Sequence, residues 1–188
     1  MTEIAQLHRR ALDATGTVVA GISAEQLDQP TPDSEWDVRT LLNHVIAGNL
    51  WAAELAAGRT IEQVGDRLDG DVIGTDPAAA YDGSAAAAAA AFDAPGAMDA
   101  PCAVSYGPVP GSVYAGHRFV DVLIHGWDLA QATGQDTTLD PELVGACLEI
   151  VEPQVEAFRA AGVFGPAVPA APDASQQTTL LAMLGRRG

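Results

Sequence analysis

The stretch His117-Arg-Phe-Val-Asp121-Val-Leu-Ile-His125-Gly-Trp-Asp128-Leu-Ala130 decides how this chain reads. Most of its positions are apolar, which predicts a helix buried on nearly every side. Measured from Asp121 at 100° per residue, the side chains of Tyr114, His117, His125 and Asp128 fall within about 40° of one line. A stripe that faces water usually carries Glu, Lys and Arg over a wider arc. This one carries Tyr, His and Asp, the residue types of sites. Asp121 and His125 stand one turn apart, with Cβ atoms about 6 Å from each other. A carboxylate and an imidazole so placed can hold one divalent cation between them.

A third ligand has to come from another helix, and Leu41-Leu-Asn-His44-Val-Ile-Ala-Gly48-Asn49 offers one. His44 shares a helix face with Leu41, Ala47, Gly48 and Trp51, none of which marks a solvated surface. A lone histidine on such a face is usually a hydrogen-bonded core residue. Beside Asp121 and His125, however, it completes a metal-ligand set, so the expected site is His44, Asp121 and His125. Gly48 leaves room for another helix or a ligand to come close. Three protein ligands leave an ion open to water or substrate. Two imidazoles and one carboxylate suit zinc first, with nickel or iron(II) as alternatives. His117 and Asp128 are expected to line the pocket or support the ligands. Arg118 and Tyr114 are candidates to hold an anionic cofactor, and His8 is expected at the surface.

The rest of the chain reads as helices around this one. An amphipathic helix covers residues 2 to about 20, with Ile4, Leu7, Leu12, Val18 and Val19 toward the core. A second runs from about Trp36 to Ala57, with Ser34 as cap and Asp37 in its first turn. Residues 59–75 read as a loop with little regular structure. Asp76-Pro77 opens a third helix, which carries seven alanines at 85–91 and ends at Pro95-Gly96. Residues 97–110 form a short hairpin or an extended loop. The central helix spans Gly111 to Thr133 and stops at Gly134. A fifth starts at Asp140-Pro141 and continues to about Ala160. Pro166, Pro169 and Pro172 place the following tail on the surface, and residues 173–184 add one more helix. The expectation is an all-α fold: a single domain over 1–188 built as a four-helix bundle with C-terminal decoration.

Composition narrows the function. Twenty-five acidic side chains face nine arginines, and the net charge of −16 opposes both a phosphate backbone and an anionic membrane. The N-terminus lacks a signal-peptide pattern and no apolar run reaches spanning length, so a cytoplasmic protein is expected. Cys102 and Cys147 match no metal-ligand spacing and read as reduced, partly buried thiols. The glycines at 16, 21 and 65–74 follow no strand and form no phosphate-binding loop. Ser105, Tyr106 and Ser112 lack a nucleophile elbow. The slim Ala-rich helix is a candidate homodimer face.

Two segments carry a family resemblance: Thr31-Pro-Asp-Ser-Glu-Trp36-Asp-Val-Arg-Thr-Leu-Leu-Asn-His44 and Asp121-Val-Leu-Ile-His125-Gly-Trp127-Asp-Leu-Ala-Gln-Ala-Thr-Gly134. Together they resemble the actinobacterial metal-binding proteins related to the N-terminal domain of mycothiol-dependent maleylpyruvate isomerase, within the DinB-like (YfiT-like) superfamily. The resemblance implies a DinB-like four-helix bundle that holds a metal through His44, Asp121 and His125. It further implies a metal-dependent enzyme, a transferase or isomerase that uses the low-molecular-weight thiol mycothiol on a small electrophile. The family's isomerase has Glu where this chain has Asp121, a shorter arm. The alternative function is a non-catalytic protein that binds or senses a metal or small molecule.

Overall fold

Helix α1 (Glu3–Ala20) turns Ala5, Leu7, His8, Ala11, Leu12, Thr15 and Val19 inward at three- and four-residue spacing. His8 is therefore fully buried, not at the surface as its sequence position suggested. It lies one turn before Leu12 and two turns before Thr15, so the periodicity that buries them buries it too. The computed structural model describes residues 3–33, 36–160 and 162–187. These are mostly helical, with one two-stranded antiparallel hairpin. The chain divides into two compact units, residues 1–135 and 136–188.

In the first unit α1 is followed by α2 (Val38–Ala56). Asp37 caps α2 by accepting a hydrogen bond from the Thr40 N–H at 2.8 Å, a contact worth about 1 kcal/mol. The expected cap, Ser34, lies outside the described residues. The loop expected over 59–75 contains a short helix, α3 (Ile61–Val64), nucleated by a capping box between Thr60 and Gln63. Helix α4 (Pro77–Asp93) starts as the Asp-Pro signal predicts, with the Asp76 carboxylate accepting from the Ala79 N–H. Its alanines 85, 88 and 89 are buried.

Strands β1 (Pro101–Val104) and β2 (Gly107–Pro110) then pair antiparallel, Cys102 opposite Val109. They choose the hairpin over the extended loop and lead directly into α5 (Gly111–Thr133). Helix α5 packs against α1 and α2, and α4 packs against the same two helices. Gly126 lets α1 approach α5 closely. A Cβ there would lie 2.2 Å from Thr15 Oγ1, which donates to the Val122 carbonyl.

The second unit begins with α6 (Pro141–Val151), capped by Asp140. The single helix expected as far as Ala160 is broken. A 3-10 turn at Glu152–Gln154 separates α6 from α7 (Val155–Ala160). Pro153 has no N–H to continue the i→i−4 ladder, which is the physical reason. Helix α8 (Gln176–Met183) follows the proline-bearing segment and is capped by Ser175. Within this unit the Gln177 amide donates to the Thr137 carbonyl and accepts from the Leu139 N–H.

Candidate metal centre

Two helices bring three donors together. His44 projects from α2, and Asp121 and His125 project from successive turns of α5. One donor atom from each lies within 4.8 Å of the other two. Asp121 Oδ1 stands 3.3 Å from His44 Nε2 and 3.7 Å from His125 Nε2. Ligands around a tetrahedral zinc with bonds of about 2.0–2.1 Å are roughly 3.3 Å apart, so both Asp121 distances lie near what one shared cation requires.

Each donor is oriented by a neighbour. Asp128, wholly buried, accepts the Nδ1–H of His125 at 3.0 Å. A carboxylate there fixes the tautomer, and leaves the His125 Nε2 lone pair aimed at Asp121 Oδ1. The second oxygen of Asp121 accepts from Arg118 Nη1 at 2.8 Å. Arg118 is itself held by Asn49, whose side-chain oxygen accepts from Nη2 at 3.3 Å, and Asn49 in turn donates to Ser84. Asp121 thus presents one oxygen to the histidines and gives the other to a guanidinium. Burial pushes the Asp121 carboxyl upward. Arg118 beside it, then His125 and the His44 hydrogen bond, outweigh this and hold it well below the usual carboxylate range.

Gly48 makes the clamp possible. A Cβ at that position would lie 2.5 Å from both terminal nitrogens of Arg118. The room predicted for a helix or ligand is taken by this side chain. Arg118 is buried and committed to Asp121 and Asn49, so it does not reach out to an anionic cofactor as the sequence suggested. Tyr114 is also buried, two turns back along α5. His117 meets the Tyr106 hydroxyl at 2.6 Å and stays out of the trio.

Trp36 is the residue whose role sequence reasoning missed. Its ring lies 4.7 Å from that of His44 and 5.9 Å from that of His125. The Thr31 N–H and hydroxyl both donate to the Trp36 carbonyl, which pins the approach to α2. The signal was an aromatic immediately before a capped helix that carries a candidate ligand. Exposure is graded across the site. The side chain of His44 is 37% exposed, that of Asp121 24% and that of His125 10%, so the trio is most open on the His44 side.

The family model for the mycothiol maleylpyruvate isomerase N-terminal domain matches residues 8–130. The chain belongs to this family. The match takes in all three donors, Trp36, Arg118 and Asp128. Among its relatives are the uncharacterized proteins MT0763 and Rv0738 of Mycobacterium tuberculosis, from strains CDC 1551 / Oshkosh and ATCC 25618 / H37Rv. Each is 42% identical over 184 residues, which covers 95% of both chains. No solved structure matches. Among the described residues of this family member, no helix is long and apolar enough to cross a membrane.

Proposed function

We propose that this protein binds a divalent metal ion, zinc first, through His44, Asp121 and His125. We propose further that it uses the ion to activate mycothiol or a similar small thiol against an electrophile, as a transferase or isomerase-like enzyme. The observation that carries this reading is the convergence of three donor atoms from two helices within 4.8 Å. Two neutral imidazoles and one carboxylate suit zinc, nickel or iron(II) and leave coordination positions open. Such an ion, when bound, supplies a Lewis acid that lowers the pKa of a thiol.

The chain's own residues hold and orient. Asp128 engages His125 Nδ1 and so leaves Nε2 as the ring nitrogen directed at the site, and Arg118 confines Asp121 to one donating oxygen. Trp36 covers one side of both imidazoles and limits access of water there. The thiol must come from outside. Cys102 and Cys147 are both buried, and burial raises their pKa values, that of Cys147 to about 12. Burial therefore disfavours the thiolate form of both.

The same reading extends to the fold. The mutual packing of α1, α2, α4 and α5, with the family match, supports a DinB-like four-helix bundle. The functional test is turnover with mycothiol and a small electrophile, before and after chelation. Thiol- and metal-dependent turnover is expected, with loss on chelation and recovery with zinc. Turnover indifferent to the chelator would overturn the catalytic reading.

A further inference from the structure

The seam that holds the three donors continues along the two helices. On α2, His44, Gly48, Trp51 and Leu55 follow one another at three- and four-residue spacing, and on α5 so do Asp121, His117 and Tyr114. The helices run antiparallel here: His44 meets Asp121, while Trp51 and Leu55 meet Tyr114 around one hollow. That hollow measures about 350 Å³ and lies about 10 Å along α5 from Asp121, the rise of seven residues. Leu55, Val104 and Tyr114 form its buried floor. Trp51 flanks it. Ile61 at the start of α3 and Tyr106 at the hairpin tip stand over it.

Two features point to a ligand. Ile61 and Tyr106 are 41% and 62% exposed, and apolar side chains of that size left in water around a concave floor mark a binding surface. Among the described residues no charged side chain lines the hollow, although the chain carries a net charge of −16. The polar side-chain groups of its lining are the Ser105 hydroxyl, the Trp51 indole N–H and two phenols, all uncharged, and burial pushes the pKa of Tyr114 up to about 12. The Tyr106 phenol is tied to His117, one turn from Asp121, so the wall of the hollow is joined to the helix turn that carries the donor.

We infer that this hollow seats an uncharged aromatic or branched aliphatic group of the electrophilic substrate, whose reacting end lies toward His44 and Asp121. The assignment to a substrate rests on the proposed thiol chemistry; the hollow's affinity for an uncharged ring does not. A charged group would lose its hydration there with no counter-charge to replace it. Three aromatic rings and three aliphatic side chains supply instead the apolar contact and edge-to-face packing that a neutral ring prefers.

The experiment uses the full chain and the neutral fluorescent probe N-phenyl-1-naphthylamine. The parent should bind it, and Ile61→Glu should weaken binding at least tenfold. Val113→Glu changes another exposed apolar residue, one outside the hollow, and should leave binding unchanged. Methyl cinnamate should displace the probe, whereas cinnamate, the same ring with a charge, should not. Probe binding should also shift the Trp51 indole N–H resonance, a readout that needs no folded variant. The inference is overturned if the parent does not bind, if both Glu variants behave alike, if cinnamate competes equally well, or if the Trp51 resonance stays still. His44→Ala separates the two readings: it should abolish metal binding and leave probe affinity as in the parent. Metal retention in His44→Ala with normal probe binding sinks the metal centre and leaves the hollow standing.

Discussion

Replacing Gly48 by alanine sets two effects of opposite sign against each other. Alanine inside a helix is favoured over glycine by about 1 kcal/mol, so on propensity alone Gly48→Ala stabilises α2. The added Cβ, however, lands 2.5 Å from both terminal nitrogens of Arg118. A flexible arginine in solvent would swing aside at little cost. This one is 7% exposed and bonded through Nη1 to Asp121 and through Nη2 to Asn49. Displacing it breaks a charge-assisted hydrogen bond worth about 1.5–3 kcal/mol and leaves the Asp121 carboxylate short of its counter-charge. The net expectation is a loss of about 1–2 kcal/mol, read by urea unfolding with chelator present. Cobalt(II) titration should show affinity falling by about 10–100-fold, the usual effect of removing a partner that orients a ligand. In an Arg118→Gln background the clash is relieved, and the alanine should then stabilise by about 1 kcal/mol. A Gly48→Ala protein more stable than its parent, with unchanged cobalt affinity, refutes the idea that Arg118 is fixed against α2.

Three further outcomes follow from the same contacts. Asp128→Asn keeps a hydrogen-bond acceptor for His125 but removes its charge, so cobalt affinity should drop about 10–100-fold with little change in fold, checked by circular dichroism. His8 is buried with neither ring nitrogen hydrogen-bonded, and burial, then Arg118 and Arg9, lower its pKa to about 3. Its neutral form therefore contributes stability that is complete above about pH 6.5 and is lost as the pH falls toward 3, amounting to about 2 kcal/mol by pH 5. His8→Leu should remove that share of the acid loss, measured as the change in urea midpoint between pH 7.5 and 5, and equal losses in parent and variant would count against it. Gly126→Ala drives a Cβ into Thr15 at the α1–α5 contact and should lower stability by about 1–3 kcal/mol, seen as a lower melting temperature.

What was legible in the sequence had a local cause. The Asp76-Pro77 and Asp140-Pro141 starts, and the greasy run from Phe119 to Leu129, each state their structure within a few residues. The convergence of the three side chains was legible because helical spacing put Asp121 beside His125, and His44 stood on an apolar face of another helix. The roles of Gly48 and Trp36 stayed hidden because they depend on contacts with other elements. The role of Gly48 appears only when Arg118, 70 residues on, crosses it. The burial of His8 is written in the α1 periodicity, against the general exposure of residues near a chain terminus. Trp36 touches both imidazoles because Thr31 turns the chain back before α2, a contact no helical wheel displays. The break at Pro153 was local and legible, and the apolar periodicity on either side of it masked it.

The most direct test is elemental analysis of protein purified without a histidine tag, loaded with zinc and exhaustively exchanged into metal-free buffer. About one equivalent of metal per chain is expected in the parent, and a small fraction of that in the His44→Ala, Asp121→Ala and His125→Ala variants. A parent that holds no metal, or variants that retain it in full, would contradict a cation shared by these three side chains.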